Sequence, residues 1–77
     1  MSLENIIANE KLEKLVNDCK IKEAIFLEKY NYNSFDLYKS KEACIESYGT
    51  SNTDSLIKVY ESYFSILEAG LEELKKK

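Results

Sequence analysis

The sequence predicts an all-α fold: three or four helices in a small antiparallel bundle, one domain over residues 1–77. Three observations point there. The chain has no proline and only two glycines, so little interrupts a helix. Its apolar residues recur at spacings of three, four and seven, the repeat of a helical face. Its two clusters of turn residues, 31–34 and 49–53, each join a helix-stopping residue to a helix-starting one.

The first helix opens at the cap residue Ser2. Leu12, Leu15, Val16, Cys19, Phe26 and Tyr30 share one face. Ile21, Ala24, Ile25 and Leu27 fall off it. Residues 20–30 are therefore expected to be covered on more than one side, or the helix bends near Asn17-Asp18. Both Asn and Asp favour caps over helix interiors, so residues 3–30 read as one helix or two.

"YNYN", Tyr30 to Asn33, reads as a stop followed by a start. Asn31 suits the left-handed position that ends a helix. Asn33 is a good N-cap, with Asp36 placed to meet the helix dipole. Tyr32 and Leu37 have the spacing of a hydrophobic staple. The competing reading is an exposed recognition loop, because Tyr and Asn also suit adaptable binding surfaces.

The second helix carries Leu37, Tyr38, Cys44, Ile45 and Tyr48 and ends at Gly49. Ser51 with Asp54 fits a capping box for the third. There Leu56, Ile57, Tyr60, Tyr63, Phe64, Leu67, Leu71 and Leu74 form a broad stripe. Gly70 lies within that stripe, and its cost of about 1 kcal/mol against alanine implies a neighbouring backbone close by. Glu72 and Glu73 are spaced to pair with Lys76 and Lys77. Val59 and Ile66 widen the stripe beyond the arc of about 100° that one neighbour covers. The last helix is expected to touch two neighbours, or one neighbour and a second chain.

Composition excludes more chemistry than it suggests. There is no histidine, so Ser-His and Cys-His nucleophile pairs cannot form within one chain. Glycines are too few for a phosphate-binding loop or a dinucleotide fingerprint. Two cysteines, Cys19 and Cys44, fall short of a zinc site or a disulfide scaffold. Both occupy apolar helical positions and are expected to be reduced and shielded. Carboxylate pairs at helical spacing, Glu42/Glu46 and Glu68/Glu72, read as solvated faces. No catalytic residue, metal or cofactor is expected. The longest apolar run, Ala24–Leu27, is far below the roughly 20 residues of a membrane span. No basic, apolar leader opens the chain, so the expected setting is cytoplasmic.

A domain of this size buries only about 60% of its unfolded surface, which makes a second chain a natural source of stability. The functional reading is thus a non-enzymatic protein acting by association: an inhibitor, adaptor, chaperone or phage- or plasmid-type regulator, and a homo-oligomer or an obligate partner of another protein. The expected interface comprises Val59, Tyr60, Tyr63, Ile66 and Tyr32.

The runner-up is a DNA-binding regulator with a helix-turn-helix-like turn around Gly49, presenting Asn52, Thr53, Ser55 and Lys58 to bases. Its register is poor. Ser55 and Lys58 are polar where packing residues belong, Ile45 stands where a small residue belongs, and Asp54 repels phosphate. A net charge of −3 with every positive charge a lysine leaves little of the phosphate attraction that dominates DNA affinity.

Overall fold

The computed structural model describes the backbone of residues 3–76 and the side chains of residues 6–76. The described residues form three helices: α1 (Leu3–Lys29), α2 (Ser34–Tyr48) and α3 (Thr53–Lys75). The expected cap Ser2 lies outside the described residues.

α1 is one continuous helix and does not break at Asn17-Asp18. It holds neither glycine nor proline, and the flanking Leu, Lys and Glu are good helix formers that outweigh two weak positions. Its end is the expected one: Asn31 takes a left-handed φ of 54°. The Tyr32 N–H then reaches back to the Phe26 carbonyl at 2.9 Å, satisfying one of the last turn's orphan acceptors.

Asn33 caps α2 from extended backbone, its side-chain oxygen accepting the Phe35 N–H at 2.8 Å. Tyr32, the residue expected to staple to Leu37, packs its ring on Phe26, with centroids 5.1 Å apart and the planes tilted by 57°. Gly49 ends α2 with φ 78°, and its N–H donates to the Ile45 carbonyl at 2.7 Å. The cap of α3 is Asn52, one residue later than the expected Ser51: its side chain accepts the Ser55 N–H at 2.9 Å. Either residue type can cap. The chain places the one whose oxygen reaches the N3 donor.

α3 is the spine. Both α1 and α2 pack along it, whereas α1 and α2 scarcely meet. Contacts between α1 and α3 climb together, from Cys19 with Tyr60 through Glu23 with Tyr63 to Phe26 with Gly70. Those two helices therefore run parallel. α2 returns between the end of one and the start of the other, so successive helices are antiparallel. The molecule is elongated, 47 × 21 × 17 Å.

The core joins all three helices: Cys19 and Phe26 of α1, Leu37 and Cys44 of α2, and Val59, Tyr63, Leu67 and Leu71 of α3. Burying each of the larger side chains contributes about 1.5–3 kcal/mol. Gly70 has the close neighbour its position implied, but that neighbour is a side chain and not a backbone. A β-carbon there would stand 2.9 Å from the edge of the buried Phe26 ring. Among the described residues the carboxyl-terminal ion pairs are Lys75 with Glu72 and Lys76 with Glu73, so Glu72 pairs one residue closer than the expected Lys76, and the expected partner Lys77 of Glu73 lies outside the described residues. All four side chains are well exposed, so these pairs stabilise little.

Candidate functional site

The expected interface divides once the helices are in place. Val59 and Tyr63 are each 1% exposed and belong to the chain's own core. The wide arc of α3 is explained by two intramolecular neighbours, one on each side, so these two residues have no surface to offer. Tyr60 is half-buried against the same core, with the Lys41 ammonium 5.1 Å from its ring centroid. Ile66 and Tyr32 are exposed, Ile66 on α3 and Tyr32 in the turn between α1 and α2.

The buried interior is chemically quiet. The Tyr63 hydroxyl donates to a Glu23 carboxylate oxygen at 2.6 Å, a charge-assisted bond that ties α1 to α3. Burial first, then this bond and the neighbouring carboxylate charge, raise the Tyr63 pKa well above its ordinary value. Both cysteines are free thiols. Cys19, whose Sγ lies 3.7 Å from the Tyr60 carbonyl, is pushed up to about 11 by burial and by the charges of Glu23 and Asp18. Cys44 is raised by burial alone. Neither thiol has the electropositive, accessible setting that makes a reactive thiolate. Among the described residues no group of three His, Cys, Asp or Glu is placed to hold a metal ion. No described helix is long and apolar enough to cross a membrane.

The outside of α1 is different. Of Ile21, Ala24, Ile25 and Leu27, the residues off the first helix's stripe, only Ala24 is half-buried. The helix does not bend, Ile21 is 61% exposed, and Ile25 and Leu27 are also open. α2 is too short and too committed to α3 to reach them.

Ile21 and Ile25 line an open depression of about 320 Å³ together with Asp18, Lys22 and Phe64. Its construction is specific. Asp18, Ile21, Lys22 and Ile25 are residues i, i+3, i+4 and i+7 of one helix, the four corners of the hole that accepts a knob from a facing helix. Phe64 of α3 supplies an extra wall, held in place by the Lys22 ammonium 4.9 Å from its ring centroid. The floor is apolar and the rim carries one acid and one base.

This hole was not among the residues singled out from sequence. The available signal was the pair Ile21 and Ile25, four apart and outside the main stripe. The contribution of Phe64 depends on how α3 crosses α1, which no local pattern encodes.

The fold is a small all-α bundle with an open, largely apolar depression on α1. No family model, curated protein or solved structure matches the chain.

Proposed function

We propose that this protein acts by association with a protein surface, that of another protein or of a second copy of itself, rather than by catalysis, as an inhibitor, adaptor, chaperone or small regulator in a reducing, cytoplasmic setting. The observation that carries this reading is the hole at Asp18, Ile21, Lys22, Ile25 and Phe64, a largely apolar depression left open by the chain's own fold. Apolar surface with a polar rim marks interaction sites, and large aliphatic side chains as exposed as Ile21 gain by being covered. The shielded, protonated thiols and the absence of histidine support a non-catalytic role.

The DNA-binding alternative has no comparable support. The side chain of Asn52, one of its four base-reading candidates, is engaged in capping α3, where its oxygen accepts the Ser55 backbone N–H. The first turn also bears Asp54.

A photo-crosslinking side chain placed at position 21, with position 46 on the exposed face of α2 as control, tests the proposal. The expected result is a protein adduct from position 21 in cells of the natural source and none from position 46. Equal labelling from both positions, or no protein adduct together with salt-sensitive DNA binding, would overturn it.

A further inference from the structure

The hole specifies the shape of its occupant, and the charges around it specify which helix that is. Lys14, Ile21 and Glu28 stand seven residues apart on α1 and so share one face. That face carries a base one heptad before the exposed isoleucine and an acid one heptad after it. Lys14 and Glu28 are both exposed, and neither takes part in an ion pair among the described residues.

A base–apolar–acid series is complementary to itself in one direction only. Two parallel copies would set Lys14 against Lys14 and Glu28 against Glu28. Two antiparallel copies related by a two-fold axis at Ile21 set each Lys14 against the other copy's Glu28. Such an arrangement is isologous: the same patch serves both partners and the contact closes at two chains. It also puts Ile21 of each copy at the level of the other's hole, whose corners, residues 18, 21, 22 and 25, are centred at that height. The rim holds one acid and one base, so bringing up an identical rim adds no net charge. The paired segment, residues 14–28, spans about 21 Å of helix, all of it within the continuous α1.

We infer that a second copy of this chain occupies the hole, forming an antiparallel α1–α1 homodimer with Ile21 as the reciprocal knob and Lys14–Glu28 pairs at both ends. The inference rests on the association reading above and names its partner. It also meets the shortfall of a chain this small, whose own core is marginal.

Sedimentation equilibrium of the purified full chain from micromolar to millimolar concentration tests it, alongside circular dichroism. Wild type is expected to pass from monomer to dimer across that range. Ile21→Glu is expected to stay helical and monomeric. Lys14→Glu alone and Glu28→Lys alone should each raise the dimer dissociation constant by about tenfold, since each sets two like-charge pairs across the axis. The double variant, with both charges exchanged, should return to within about threefold of wild type because the pairing is restored in reverse. A wild-type monomer throughout would overturn the homodimer. So would a dimer that survives Ile21→Glu with unchanged affinity. Charge reversals that add without rescue would overturn the antiparallel register. The crosslinking experiment stands apart from these: a heterologous adduct from position 21 of a monomeric chain would sink the homodimer and leave the association reading intact.

Discussion

α3 and α1 are both long helices rich in large apolar residues, and they end in opposite situations. α3 gathers Ile57, Val59, Tyr63, Leu67 and Leu71 into the core and leaves Ile66 as its one strongly exposed aliphatic residue. α1 buries Cys19 and Phe26 but leaves Ile6, Ile7, Ile21, Ile25 and Leu27 in the open. The difference is one of neighbours. α3 lies between two helices, so most of a wide apolar arc is covered and only Ile66 on its flank stays open. α1 has one neighbour along most of its length, and its apolar residues are spread round the helix. An apolar side chain on α3 is therefore structural by position, whereas several on α1 have no partner in the fold. The lesson is that a broad apolar arc does not by itself mark an interface. What matters is whether the chain supplies enough neighbours to cover it.

The comparison can be broken most sharply in the core. Leu67→Ala removes a buried side chain that is 1% exposed, and is expected to cost about 2–5 kcal/mol in urea unfolding. A loss below about 1 kcal/mol would show that α3 is not the spine. Tyr63→Phe comes next. It removes the hydroxyl that donates to Glu23 and leaves a half-buried carboxylate short of a partner, with an expected loss of about 1–3 kcal/mol.

The packing of Gly70 against Phe26 sharpens the same contrast. At an open helix position Gly→Ala gains about 1 kcal/mol. Here the new β-carbon meets the Phe26 ring at 2.9 Å, so Gly70→Ala is expected to forfeit that gain. In a Phe26→Leu background the gain should reappear, giving a coupling of about 1 kcal/mol between the two sites. Additive effects would mean that the helices do not approach as closely as described. Asn52→Ala is expected to cost about 1 kcal/mol by removing the cap of the central helix.

At neutral pH the two raised groups contribute no pH dependence, and their effect appears only in alkaline solution. The Cys19 thiol has an ordinary value of 9.0 when unfolded and is pushed up to about 11 in the fold. Below pH 9.0 both states hold the proton and the thiol contributes no slope. Between pH 9.0 and about 11 the unfolded state releases its proton first, so stability falls as pH rises. The raised Tyr63 pKa acts in the same direction above its ordinary value of 10.0. Cys19→Ala in a Tyr63→Phe background should flatten the decline measured by unfolding at stepped alkaline pH. An unchanged slope would mean that neither group is buried as described.

The helix boundaries were legible because cap chemistry is local. Asn31, Asn33 and Gly49 do what their side chains and allowed backbone angles favour, whatever surrounds them. The shielding of Cys19 and Cys44 was legible for a similar reason, since each stands on its helix's apolar stripe. The fate of Val59 and Tyr63 was not. The same arc on α3 suits two internal neighbours or one neighbour and a second chain, and only the path of α2 decides between them. The hole on α1 was half legible. Ile21 and Ile25 stand visibly off the stripe, but whether anything covers them depends on a tertiary crossing that brings Phe64 alongside and keeps α2 away.

The most direct test of the central claim, that α1 is covered on one side and open on the other, is the stability of the Ile21→Ser, Ile25→Ser double variant in dilute monomeric solution. Unchanged helicity and an unfolding free energy within about 1 kcal/mol of wild type are expected, as for exposed positions. Loss of helicity, or a destabilisation approaching that of Leu67→Ala, would place these isoleucines inside the fold and contradict it.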